Sequence, residues 1–259
     1  MLDKLPILRV TKKGATQMAD AVVTEFHLTI VLNNRELVTL LCSPEKLEFL
    51  AIGFLASEGL LSTKDDIGKI ALDSKRGAVE VSTRVSCEFP EDILSKRLIS
   101  SSGGKGRSAQ ITPRGQAKIQ SHINISPADV LNLVKTFVER SELFKATGGL
   151  HSAALCDTEK ILLFSEDIGR HNAIDKVFGE CILSGIRTDD RIMITSGRIS
   201  SEILLKVAKR NIPILISKSP PTNLGVKLAE GVGITLIGFA RGERMNIYTH
   251  SWRVASHGR

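Results

Sequence analysis

Four short polar clusters close apolar runs in the second half of this chain: "SEDIGRHN" (165–172), "TSGR" (195–198), "SKSPPT" (217–222) and "FARGER" (239–244). Together they supply Arg170, His171, Arg198, Lys218, Arg241 and Arg244. Guanidinium forks and an ammonium at closely spaced loops are the equipment for gripping phosphate or carboxylate oxygens. Glu166 and Asp167 are placed either to hold those arginines or to accept N–H groups from a base edge, although Asp167, like Ser200, also suits a helix cap. His151, in "TGGLHSAAL", follows two glycines and precedes small residues. It reads equally as a satisfied core histidine and as a ligand contact. Several common catalytic signatures are missing: the Walker phosphate loop, the G-x-G-x-x-G dinucleotide fingerprint, the G-x-S-x-G nucleophile elbow and the H-x-E with P-C-x-x-C of zinc deaminases.

The elements that must position these clusters follow from hydrophobic periodicity. After Gly148 the chain alternates apolar runs ("HSAALCD", "KILLFSED", "RIMITSG", "PILISKSPP", "ITLIGFARGER") with helical patterns ("NAIDKVFGECILSG", "SSEILLKVAKRN", "NLGVKLAEGVG"). That alternation predicts an α/β layer on a mostly parallel sheet. In such sheets ligands bind beyond the carboxyl ends of the strands, where the four polar clusters fall, and helix N-termini there add unpaired N–H groups. Upstream, "VTEFHLTIVLNNRELVTLLC" (23–42) predicts a hairpin turning at Asn33-Asn34. "SPEKLEFLAIGFLASEGLL" predicts a helix with Ser43 as N-cap and Pro44 at the first helical position. "GAVEVSTRV" (77–85) alternates as a strand, and "SPADVLNLVKTFVERSELF" predicts a helix capped by Ser126 and Pro127. The regular alternation places a boundary near residue 145. With helix 127–144 as a connector, the division is a smaller N-terminal α+β domain, 1–125, and an α/β domain, 126–259.

Between Ile93 and Ala128 there is no acidic residue, while Lys96, Arg97, Lys105, Arg107, Arg114 and Lys118 are basic, and "SSSGGKGRSAQ" lies inside. This composition cannot bury itself and predicts a mobile basic loop at about 93–125. The net charge of +7 attracts anions, whether nucleotides, nucleic acid or acidic partners. An RNA-binding module is one alternative, but one Trp and one Tyr supply few stacking platforms. The N-terminus lacks a signal-peptide run and no stretch of about 18 apolar residues exists, so a cytoplasmic, non-membrane protein is expected. The four cysteines, Cys42, Cys87, Cys156 and Cys181, form no C-x-x-C and no zinc spacing, and read as buried reduced thiols.

The segments "GFLASEGLL", "TGGLHSAAL", "EDIGRHNAIDKVFG", "TSGRISSEILLK", "ISKSPPTNLGVKLA" and "GFARGERMNIYT" together resemble the FdhD/NarQ family of formate dehydrogenase accessory proteins, over about residues 50–249 and in the family's order. The resemblance implies a cytoplasmic, homodimeric sulfur carrier whose second half has a cytidine-deaminase-like three-layer α-β-α fold without zinc. It implies a cysteine desulfurase as sulfur donor and a persulfide on a loop cysteine. Sulfur is then passed to the molybdenum cofactor in its bis(guanine dinucleotide) form, before insertion into formate dehydrogenase. Phe239, Ala240, Arg241, Gly242, Glu243 and Arg244 match the family's cofactor-binding segment. His151, Arg170, His171, Arg198 and Lys218 join them as candidates at the same edge, where GDP would serve as a ligand mimic.

The sequence departs from the family at one place. The family's loop reads roughly S-S-C-G-x-C-G-K, and here it is "SSSGGKGR", with Ser102 and Lys105 where the two cysteines stand. A hydroxyl cannot form a persulfide, which requires a polarisable thiolate. Either another cysteine substitutes, or the chain binds and delivers cofactor without transferring sulfur, or its cleft takes a different nucleotide-like or anionic ligand.

Overall fold

The computed structural model describes residues 2–84, 98–99 and 118–254. The chain opens with a two-stranded antiparallel ribbon, β1 (Leu2–Thr11) and β2 (Gly14–Val23), which no alternating pattern announced. The expected hairpin follows as β3 (Phe26–Leu32) and β4 (Arg35–Cys42). Asn33 and Asn34 both take positive φ, 50° and 64°, the left-handed pair that a two-residue turn demands. With β5 (Ile67–Asp73), β6 (Ala78–Thr83) and β7 (Leu98–Ile99) these strands form a sheet in the order β5-β6-β3-β4-β7. Strand β7 lies within the stretch read as a basic loop; 85–97 and 100–117, including Ser102 and Lys105, lie outside the described residues.

Helix α1 (Leu47–Glu58) begins later than its sequence cap suggests. Ser43 is not the N-cap, because it bonds across the chain. Its amide donates to Asp167 Oδ2 at 3.0 Å, and its hydroxyl accepts the Ile168 amide at 3.1 Å. Lys46 takes the cap position in a left-handed conformation instead. The helix is buried on nearly every side, between the first sheet and helix α4 (Arg170–Leu183). Gly53 and Gly179 permit that crossing: a Cβ on Gly53 would sit 1.7 Å from the Asp175 carbonyl oxygen, and one on Gly179 1.9 Å from that of Phe49.

The second sheet has six strands in the order β13-β12-β11-β10-β8-β9. They are β8 (His151–Cys156), β9 (Ile161–Asp167), β10 (Ile192–Thr195), β11 (Ile214–Ser217), β12 (Thr235–Arg241) and β13 (Arg244–Ile247). The mostly parallel sheet expected from sequence is parallel only through β10, β11 and β12; β8, β9 and β13 run antiparallel to their neighbours. The reason is connection length. β8–β9 and β12–β13 are joined by turns too short for a parallel crossover.

Helices cover both faces in three layers. Val130, Leu133, Val134 and Phe137 of α2 (Pro127–Arg140) pack on Ile194, Ile216 and Ile237. On the other face α4, α5 (Ser201–Lys209) and α6 (Asn223–Val232) bury Ile174, Phe178, Leu204, Val207 and Ala229. Ser126 caps α2 as predicted, accepting the Asp129 amide. The helix expected to run to residue 144 breaks at Ser141, and α3 (Glu142–Thr147) follows as a separate turn. Residues 118–125 are anchored rather than loose. Ile119 and Ile125 are buried, and the buried Arg253 guanidinium donates to the carbonyls of Ile119, Ser121 and Gly233. Among the described residues no helix is long and apolar enough to cross a membrane.

Candidate anion-binding edge

The carboxyl ends of β10, β11 and β12 converge as the sequence implied. The Lys218 amide donates to Thr195 O, Ser219 Oγ to Ser196 O, and Ser217 Oγ to the Gly197 carbonyl at 2.7 Å. The loops after β10 and β11 are thereby tied together. The Phe239 amide reaches Ser219 O, drawing in the β12–β13 hairpin. Arg170 lies against the same loops, since a Cβ on Gly197 would fall 2.9 Å from its own. Because β8 is antiparallel to β10, its first residue, His151, also sits at this edge: Ser196 donates its amide to Ser152 O and accepts that of Ser152 through its hydroxyl.

Arg170, Arg198, Lys218 and His151 therefore share one edge. Burial, reinforced by Arg198, lowers the Arg170 pKa, and burial alone lowers that of Lys218. Burial first, then Arg170, depresses the His151 pKa, so the imidazole is neutral at pH 7. Among the described residues no carboxylate lies within ion-pair distance of Lys218 or Arg198; Lys218 instead stands 5.9 Å above the Phe144 ring. Lys218, half-buried and with no carboxylate partner among the described residues, and the exposed Arg198 beside it form a place where an anion is favoured.

Glu166 and Asp167, read as holding the arginines or accepting from a base edge, are engaged elsewhere. Asp167 is wholly buried and accepts the amides of Ser43 and Gly169, the Asn172 side chain and the Lys176 ammonium. Glu166 accepts the Leu143 and Phe144 amides at the start of α3, and burial raises its pKa. Both carboxylates build the site without being presented by it. His171 likewise turns inward. It is 8% exposed, its Nε2 lies 3.7 Å from Glu202 Oε2, and burial with the nearby Lys206 pushes its pKa down to about 3. Ser200 acts as a cap, accepting the Ile203 amide.

"FARGER" is a hairpin turn. Gly242 adopts φ 59° with open space where a Cβ would be, and Arg241, Glu243 and Arg244 are exposed. Phe239 has φ 52° beside a register shift, and its ring lies 5.8 Å from the Arg241 guanidinium carbon. Ala240 points into the core. A separate concavity of about 390 Å³, lined by Phe26, Lys46, Phe49 and Leu72, lies by the start of α1 and carries none of these residues.

A model of the FdhD/NarQ family matches residues 23–255. The chain belongs to the FdhD/NarQ family. It is 47% identical over 242 residues to the sulfur carrier protein FdhD of Bacillus pumilus (strain SAFR-032), covering 92% of each chain. It is 46% identical over 250 residues to that of Bacillus subtilis (strain 168), covering 96% of this chain and 95% of the relative. The crystal structure of a candidate formate dehydrogenase accessory protein from Desulfotalea psychrophila superposes with a TM-score of 0.81 at 26% identity, covering 98% of this chain and 99% of that one.

FdhD/NarQ membership places the resemblance read from sequence on firm ground, and it directs attention to thiols. Cys42, Cys156 and Cys181 are buried, and burial pushes each thiol up to about 12. Cys87 lies outside the described residues. The residues that sequence reading missed are the supports: Ser43, Lys176, Ser152 and Ser196. Lys176, Ser152 and Ser196 each lie inside a segment quoted for the family resemblance, and Ser43 was read only as a helix cap.

Proposed function

We propose that this chain binds the guanine dinucleotide form of the molybdenum cofactor by its phosphates, at the carboxyl edge of β10–β12, and delivers it to formate dehydrogenase without carrying sulfur on the 100–107 loop. The observation behind this reading is the donor-rich edge: Arg170, Arg198, Lys218 and His151 gathered with no carboxylate paired to Lys218 or Arg198 among the described residues. Phosphate oxygens are acceptors only, so every group there can contribute to holding them. The exposed Arg241 and Arg244 of the hairpin extend the same surface. The cationic and N–H donors of this edge match the phosphates of the nucleotide end. The cofactor when bound would supply the molybdenum site that the client enzyme needs; the chain's own part is to grip and orient it.

The absence of sulfur transfer rests on Ser102 and Lys105 in the loop and on the three buried thiols elsewhere. On this reading a cysteine desulfurase is no longer a partner in persulfide transfer, and the chain works as a homodimeric cofactor carrier. Isothermal titration with GDP, with RNA as a control, tests the binding half. GDP should bind saturably at physiological salt and RNA should not; RNA binding with a steep salt dependence would replace this reading with a nucleic-acid one.

A further inference from the structure

Ser196 and His151 form a pair whose geometry fixes a proton. Ser196 Oγ accepts the Ser152 amide at 3.0 Å and stands 3.3 Å from His151 Nδ1. A hydroxyl oxygen that already accepts one N–H still has its own proton to give. Among the described residues the acceptor within reach is Nδ1. Protonating Nδ1 instead would place its N–H on the second lone pair of Oγ and leave the hydroxyl proton without a target among the described residues. The arrangement that satisfies every group is Ser196 O–H donating to Nδ1, with the imidazole neutral and its proton on Nε2. The clamp is rigid, because Ser152 and Ser196 exchange both backbone-directed bonds, the Ser196 amide returning to Ser152 O at 3.0 Å. His151 is half-buried at the edge and flanked by the charges of Arg170 and Arg198.

We propose that Ser196 is a positioning residue that holds His151 with its Nε2–H as a directed, uncharged donor to a phosphate oxygen of a nucleoside diphosphate bound at this edge. The inference rests on the binding reading above and adds a residue and a role to it. An uncharged donor between two guanidinium groups avoids a third positive charge at close quarters and still completes the acceptor's shell. It also confers direction, since a fixed N–H selects where an oxygen sits more sharply than a mobile cation does.

The test uses the full chain with GDP, inorganic pyrophosphate and guanosine as probes. The variants are Ser196→Ala, His151→Gln, which keeps an amide donor near the Nε2 position, and His151→Asn, which moves it to the Nδ1 position. Titration should show Ser196→Ala and His151→Asn weakening both GDP and pyrophosphate about tenfold, the scale of one hydrogen bond to a charged acceptor, with His151→Gln losing clearly less. Guanosine binding should be unchanged across the set. Nitrogen-15 NMR of the free protein should show His151 protonated at Nε2, a state that Ser196→Ala turns into a tautomer mixture. If wild type binds GDP and both weakened variants bind it as tightly, the pair has no such role and the binding reading stands. If wild type does not bind GDP, that reading falls and this inference falls with it. Protonation at Nδ1 in the free protein overturns the inference whatever the affinities, and the histidine pair decides the matter should Ser196→Ala fail to fold.

Discussion

Lys176 Nζ lies 2.7 Å from Asp167 Oδ2 in the interior, with the two side chains 1% and 0% exposed. The pair joins the two halves of the chain. Asp167 takes the Ser43 amide from the end of β4, and Lys176 donates to the carbonyls of Ser43 and Glu166. With Asn172, which donates to Leu41 O and to Asp167 Oδ1, it fixes the turn that presents Arg170.

Breaking one side of that pair leaves a buried charge alone, at a cost of about 3–5 kcal/mol. Lys176→Met and Asp167→Ala should each lower stability by about that amount in denaturant titration. The double variant should lose much less than the sum, because it removes the uncompensated charge. Additive losses would show that the two groups act independently.

Much of this fold was legible because local chemistry and tertiary context agree. Asn33-Asn34 turns where it must, Ser126 caps α2, and the apolar runs after Gly148 become strands. The polar clusters reached one edge because strand ends have only one place to go in such a sheet. Ser43 misled because its hydroxyl, the capping group, accepts the amide of Ile168, 125 residues away, a distance over which sequence carries no signal. Glu166 and Asp167 looked like ligand contacts for the same reason: composition shows a carboxylate, and only packing shows which amides it already holds. The direction of β8, β9 and β13 depended on connection length, which apolar periodicity alone does not weigh.

The buried thiols should be inert. A thiol with a pKa near 12 is thiolate at only on the order of one part in ten thousand at pH 8, and burial excludes the reagent as well. Alkylation of the native chain followed by peptide mapping should leave Cys42, Cys156 and Cys181 unmodified. Full labelling should appear only after denaturation. Modification of any of the three within minutes under native conditions would restore it as a candidate sulfur carrier.

Arg241 sits at the exposed tip of the β12–β13 hairpin, its guanidinium carbon 5.8 Å from the Phe239 ring centroid. Arg241→Ala should weaken GDP binding by about 1.5–3 kcal/mol, the range for a hydrogen bond between charged groups. The thermal midpoint should hardly move, since no core contact is lost. A much lower midpoint with unaltered affinity would make the arginine structural.

The last prediction returns the missing chemistry to the loop. Ser102 and Lys105 stand where the family resemblance places cysteines, in a segment of serine, glycine and basic residues with Arg97 and Arg107 nearby in sequence. Ser102→Cys with Lys105→Cys recreates the C-x-x-C spacing, and neighbouring cations favour the thiolate that attacks a donor persulfide. The double variant should accept labelled sulfur from a cysteine desulfurase, with wild type as the blank, while GDP affinity stays unchanged. Ser102→Cys alone should already take up label if the first position carries the persulfide. A double variant that folds and binds GDP yet remains as unlabelled as wild type would show that more than two side chains separate this chain from sulfur transfer. Loss of the surface that docks a desulfurase would then have to accompany loss of the thiols, and cofactor binding alone would be the activity that the donor-rich edge retains.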